Sequence, residues 1–485
     1  MRFPGFIGPS YKTRTSNYEC QRSINLIPEF GVLGTGKDNE VAFLFSAPGL
    51  KKKITLPAGP IRALFSSSRE ELFCVSRDKL YRIEADETHT ELGTLSSTSG
   101  RVSLEDNGNF LIIVDGLKGY RFRFSDGDFA EITDEAFTQY AAPTRVGYID
   151  GRFVFFVPDS QTTFISNQDD VNEITFDGTE FTSIDSTPDN IVSMVVSNRE
   201  IWYFKKKSTE VWFNAGGAQY PYSRVDGAVL EIGCEAPDSV VTVDGVRCWV
   251  GKNKEGAGVV YMAEGYQPKK ISTQAIDFEI QKYGDISDAR AFAYQSGGHS
   301  YYVLNFTSAN TTWVFDFSTG LWHERPRMVN GQFERGRSDC HAFAHGRHYV
   351  GDFENGNLYE LSDDYHQDDD KHLVRQRVAP HVTSGGRRVF YKEFQLDLEM
   401  GVGLDGLGQG TDPKVILEFS DDGGHAWSKE IWATMGKIGE RRKRARWTRL
   451  GQSRDRVFRV TITDPVKVVM LGANLEFLVG GASGG

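Results

Sequence analysis

The 485-residue chain has little of what announces a common catalytic or membrane function. Its five cysteines (Cys20, Cys74, Cys234, Cys248 and Cys340) are odd in number, widely spaced and free of any CxxC unit. That pattern excludes a disulfide scaffold and a zinc module, and it predicts thiols that act as small buried hydrophobes in a reducing compartment. No apolar run reaches the roughly 18 residues that a membrane-spanning helix needs. Met1-Arg-Phe-Pro4 leads into Gly and Ser rather than an apolar stretch, so no secretory leader is expected. HExxH, GxSxG and a phosphate-cradling Gly loop are all missing, and Gly34-Thr-Gly-Lys37 lacks P-loop spacing. Proline is modest (16) against 51 glycines, as tight turns require. Long helix-periodic stretches are scarce.

What the chain does have is Phe (33) and Tyr (19) in short β-branched and aromatic segments, which suit pleated strands. Pairs of such segments, each joined by a polar turn, recur from Ile61 to Tyr359. The turns centre near Arg69, Asn107, Asp150, Asn198, Asp244, Gly297 and Gly346, roughly 38 to 53 residues apart. Asn107-Gly108, Asp150-Gly151 and Asp244-Gly245 are strong hairpin signals, because both residues tolerate positive φ. A hairpin cannot bury its apolar face alone, whereas a ring of them can. The reading is an all-β chain: a β-propeller of seven blades, with six as the alternative, over residues 61–375.

Residues 1–60 read as an irregular arm, broken by Pro4, Pro9, Pro28, Pro48, Pro57 and Pro60. Within it, Ser23–Glu29 is expected to be a strand fragment ending before Pro28, and Val41–Phe45 an apolar run closed by Pro48-Gly49. Either could pair with a later strand and lock the ring; a surface-draped arm is the alternative. The acidic run Asp363–Asp370 marks a boundary or loop. Beyond it, 386–485 reads as a β-sandwich-like module, with segments at 394–400, 415–419, 457–462, 466–470 and 475–479, and a frayed Gly-Gly-Ala-Ser-Gly-Gly tail. Net charge is −11 and uneven: 16 basic against 13 acidic residues from Gly386 onward, 39 against 53 before it. An acidic body disfavours tight nonspecific DNA binding.

No catalytic, cofactor-binding or metal-ligating set emerges. Cys340, His341, His345 and His348 resemble a ligand cluster, but Gly346 breaks the strand and ordinary core or turn histidines are expected. Asp363, Asp364 and Asp368–Asp370 could hold a hard cation but lack EF-hand spacing, which favours a solvated loop. Ser420-Asp-Asp422-Gly-Gly424-His-Ala-Trp427 fits the Asp-box, a turn in which Ser and Asp satisfy local amides while Trp packs back. One copy is weak support for carbohydrate work. The run Arg441–Arg449, continuing to Arg454, Arg456 and Arg459 with Trp447 beside it, is the sharpest charge feature. The acidity of the rest favours partner or inter-subunit contact over an edge guard or a merely solvated face, and either of these over DNA.

Asn25-Leu-Ile-Pro28, Pro48-Gly49-Leu50, Phe394–Gly403 and Phe419–Gly424, in that order around the hairpins, resemble the tail nozzle, or packaged-DNA stabilisation, family of short-tailed bacteriophages. The resemblance implies a non-enzymatic virion protein, made in the host cytoplasm and located in the tail. It implies a ring, expected to be a hexamer, below the portal and adaptor that closes the head, retains packaged DNA and gives it a channel for ejection. It also implies contact with a fibre, spike or needle protein, transient passage of double-stranded DNA, no membrane insertion and no cofactor. Two other readings stand beside it: a propeller-type carbohydrate-binding protein or glycan hydrolase, and a cellular propeller scaffold for protein partners.

Overall fold

The computed structural model describes residues 1–16, 18–31, 41–217, 220–253 and 255–480. Gly34–Lys37 and the tail beyond Gly480 lie outside the described residues. The seven turns read from the sequence each join the first two strands of an antiparallel blade, and the first five blades are separate four-stranded sheets. Blades 1 to 5 span 61–94, 103–131, 146–183, 191–230 and 241–270. Blade 6 (290–324) is continuous with a larger sheet, and blade 7 takes three strands from 338–362 and its fourth from Gly49–Thr55. The innermost strands pack in sequence, and Ser338–Ala344 of blade 7 returns to Ile61–Ser66 of blade 1, closing the circle.

The second strand of each blade explains why the sequence reads as apolar runs rather than alternation. Both of its faces are covered by neighbouring blades, so successive residues enter different cores. In Phe110–Val114, Leu111 and Ile113 pack toward blade 1, while Phe110, Ile112 and Val114 pack toward blade 3. Ile201 and Tyr203 likewise face blade 3, and Trp202 and Phe204 face blade 5. Seven such inter-blade cores run round the ring, the last joining blade 7 to blade 1 through Ile54, Ile61, Cys74 and Tyr349. The turns behave as their chemistry dictates: Asp150-Gly151, Asp244-Gly245 and Asn198-Arg199 have positive φ at both positions. Asn107-Gly108 differs. Asn107 Oδ1 instead accepts from the Asn109 and Phe110 amides, which makes an Asx turn.

The arm is far more ordered than its prolines suggest. Gly49–Thr55 is the ring-closing strand, antiparallel to Asn357–Ser362. Neither segment expected for that role fills it: Leu26–Phe30 and Val41–Ser46 pair with each other, and Val41–Ser46 continues onto Val469–Val479. Leu26–Phe30 runs through Pro28 because it is an edge strand, where a missing N–H costs no ladder bond. These strands join Val389–Leu398 and Ala445–Thr448 in one layer of the C-terminal sandwich. The segments expected at 466–470 and 475–479 are one strand, Val469–Val479, which passes through Gly472.

The second layer contains Arg375–Val378, Asp455–Ile462, Lys414–Ser420 and Ile431–Thr434. Cys20–Ile24 pairs antiparallel with Arg375–Val378 on one side and parallel with Leu321–Glu324 of blade 6 on the other. One sheet therefore runs from the propeller into the sandwich. The sandwich core buries Phe3, Phe6, Leu26 and Leu44 from the arm among Phe394, Leu417, Trp447, Phe458 and Leu475.

Candidate assembly site at the arm and sandwich

The arm is fastened by side chains that seek main-chain partners. Asn25 sits between two arm strands at φ +50°, a conformation that asparagine tolerates better than most residues. Its side-chain amide nitrogen donates to the carbonyls of Pro326 (3.0 Å) and Val374 (2.9 Å), and its main-chain carbonyl accepts from the Ala47 amide. One residue thus tethers the arm to the connection between blades 6 and 7 and to the start of the sandwich. Next to it, Arg22 Nε donates to Glu324 at 2.9 Å, and Ser10 Oγ donates to the same carboxylate. Arg377 is fully buried and has no carboxylate within ion-pair reach among the described residues. Its guanidinium donates to the carbonyls of Gly5, Phe6 and Pro9 and to Ser23 Oγ and Gln21. Burial brings its pKa down to about 9.

Two histidines bridge the same parts. His299 of blade 6 contacts Asp316 through Nδ1 (2.8 Å) and Glu29 of the arm through Nε2 (2.6 Å). Two carboxylate acceptors require both ring nitrogens to carry protons, and the hydrogen bond to Asp316 is the main cause that raises this pKa to about 9. His381 has the Cys20 sulfur at 3.7 Å, donates to the Ser16 carbonyl, and pairs with Asp455 at 2.8 Å. It too is raised to about 9, by the Cys20 contact first and Asp455 next.

The Asp-box forms as its chemistry predicts. Ser420 Oγ accepts from the Gly424 amide, and Asp422 Oδ1 accepts from the amides of His425 and Ala426. Trp427 packs back onto Cys20, Val378 and Val457. The turn therefore buttresses the arm.

The basic run divides in two. Arg456 is buried, paired with both oxygens of Asp421 and held between the Tyr391 and Phe419 rings. Arg459 pairs with Glu418 and lies over Trp427 at 3.9 Å; Arg454 donates to the Gly386 carbonyl. Trp447 is buried and donates to the Ile431 carbonyl, so it offers no ring face to a base. Arg441, Arg442, Lys443 and Arg444 remain exposed in the loop between two edge strands. Among the described residues only Lys443 of these four has a carboxylate within 4 Å, Glu440 at 3.8 Å. Beside the loop stand Ile431, Trp432 and Ile438, of which Trp432 is 57% exposed. The sequence shows the charge but not the exposure of these apolar neighbours, which depends on how the edge strand is covered in the fold.

The histidine cluster is resolved differently. His341 and His348 meet across the hairpin at 3.0 Å, whereas His345 sits in the turn and contacts the Ile83 carbonyl. One ring must donate and the other accept. Burial, with His348 adding to it, drives His341 down to about 3. Asp368 pairs with Arg337, Asp370 with Lys371, and Asp363 accepts from Ser296, so the acidic run is dispersed. Among the described residues no group of three or more His, Cys, Asp or Glu is placed to hold a metal ion. All five cysteines are buried and unpaired. Burial pushes the thiols of Cys234 and Cys340 up to about 12.

A closed propeller joined through its own N-terminal arm to a sandwich defines an all-β protein of two β domains sharing one sheet. Two family models match nearly the whole chain: "Bacteriophage P22 Gp10, beta-propeller" over residues 1–366, and "Bacteriophage P22 Gp10, beta-sandwich" over 374–477. The chain belongs to this Gp10 family of phage head-closure and tail-stabilisation proteins, which are structural components of the virion tail. No curated protein matches it. Solved structures with which it shares similarity include the extracellular domain of a one-component system from B. thetaiotaomicron (11% identity, TM-score 0.44, 86% of this chain and 58% of that one). Others are the WD40 propeller of Doa1 (11%, 0.40, 65% and 97%) and the Pan2 WD40 domain of Neurospora crassa (10%, 0.40, 65% and 96%). The chain spans little more than half the length of the first of these, and none of the three bears on function.

Proposed function

We propose that this protein assembles as a ring, a hexamer, below the portal and adaptor, where it closes the filled head and gives DNA a path for ejection. In this reading it also offers attachment to a fibre, spike or needle protein. The observation that carries it is the exposed loop of Arg441, Arg442 and Arg444, which have no carboxylate within 4 Å among the described residues, together with the exposed Trp432 and Ile438 on the strand and loop leading to it. An exposed aromatic among unpaired arginines is the composition of a protein interface centre. Its complement is the acidic remainder, 39 basic against 53 acidic residues before Gly386. Six copies would carry about −66 formally, six times the chain's −11, so a lumen walled by that acidity would pass DNA without holding it. Mass measurement of the purified protein, alone and with portal–adaptor complexes, tests the ring; a strict monomer inert toward those complexes overturns it. Tight binding of short duplex DNA by the body at low salt overturns the acidic-lumen reading.

A further inference from the structure

Two arginines stand in the propeller's central channel, among the first strands of the blades. Arg101 and Arg145 lie just before the first strands of blades 2 and 3, and both line two adjoining cavities of about 390 and 440 Å³. Each side chain reaches across to another part of the ring. Arg101 Nη2 donates to the Ala291 carbonyl of blade 6 (3.2 Å), and Arg145 Nη2 donates to the Pro237 carbonyl ahead of blade 5 (2.8 Å).

These guanidiniums are poorly satisfied. Arg101 Nη1 is buried without a hydrogen-bond partner, and no carboxylate lies within ion-pair distance of Arg101 among the described residues. Arg145 has only Asp238, at 3.6 Å, and that carboxylate is shared with Arg290 at 3.9 Å. Of the other carboxylates lining the second cavity, Asp115 is already engaged, accepting from the amides of Ser97, Leu117 and Lys118, and Asp159 makes no ion pair with either arginine among the described residues. Asp339 is taken by Arg290. Burial lowers the Arg145 pKa, and the charge on Arg101 adds to that effect. Two guanidiniums that line the same polar cavities, one with an orphaned buried donor, need either water or an anion between them. Guanidinium forks match the paired oxygens of an oxyanion.

We propose that the channel binds one compact oxyanion of the phosphate or sulfate class between Arg101 and Arg145, cross-bracing the blades from which they reach. The test uses the full chain and inorganic phosphate, with sodium chloride at matched ionic strength as control. The expected result is a thermal midpoint that rises and saturates at millimolar phosphate, with apparent affinity weakened at least tenfold in Arg101→Gln and again in Arg145→Gln. A rise that stays linear with concentration is the general exclusion effect of such salts, and with equal response in wild type and variants it overturns the site. So does an equal response to chloride. Should the variants not fold, phosphorus NMR of wild type decides: line broadening of free phosphate that sulfate reverses supports the site, and an unbroadened line at millimolar phosphate overturns it.

Discussion

At the scale of single residues, the arm depends on side chains that bond to backbone rather than to one another. Asn25 combines a left-handed φ with two buried donations, so Asn25→Ala should destabilise the protein by roughly 2–4 kcal/mol. Asn25→Gly relieves the φ and should recover about 1 kcal/mol of that loss. Denaturant unfolding of the two variants separates conformation from hydrogen bonding. His299 and His381 have folded-state pKa values near 9, above the unfolded value of 6.5. Their contribution is therefore complete below pH 6.5 and is lost as pH rises through 9, on the order of 2–3 kcal/mol for each at most. Stability measured from pH 6 to 10 should fall across that window, and His299→Gln should flatten the decline. Asn25 was legible as part of a motif, but not its role, because its partners lie about 300 and 350 residues away. Neither histidine was legible at all, since each acquires its charge from acids that only folding brings near.

At the scale of elements, ring closure rests on Gly49–Thr55. A Cβ on Gly49 would lie 1.9 Å from the Tyr365 carbonyl oxygen, so Gly49→Ala cannot be accommodated without moving the strand. Lys52→Pro would remove an N–H opposite Tyr359, inside the same strand. Both substitutions should open the junction of blades 7 and 1, seen as faster amide exchange in Asn357–Ser362 and Ile61–Ser66 than in blade 4. The seven hairpins were readable because turn chemistry is local: Asp-Gly and Gly-Gly pairs state their own geometry. The closing strand was not readable. Gly49–Thr55 contains three consecutive lysines, two of them exposed, and looks less like a strand than the apolar Val41–Phe45. An outermost blade strand needs only one covered face, whereas the more apolar segment was required in the sandwich.

At the scale of the whole molecule, charge and connectivity dominate. If the basic loop seats on an acidic neighbour, replacing Arg441, Arg442, Lys443 and Arg444 with Ser should abolish or sharply weaken ring formation while leaving the monomer's thermal midpoint within about 2 °C, because the loop is exposed. Assembly of the wild type should weaken between 0.15 and 1 M salt, as screening shortens from about 8 to 3 Å. Mass photometry across that range measures both effects. The continuous sheet from blade 6 through Cys20–Ile24 into the sandwich also predicts a single cooperative unfolding transition. Truncation of residues 1–24 should split it in two, as calorimetry would show.

The sequence by itself determined the all-β class, the sevenfold beat of hairpins, the Asp-box turn and the separation of an acidic body from a basic-tipped module. Each of these is written in residues close together, where φ preference, strand periodicity and charge act without help from the rest of the chain. Only the tertiary structure decided that the arm belongs to both halves, which arginines stay free, and which histidines are charged. Those outcomes depend on burial and on partners hundreds of residues apart, and one dimension records neither.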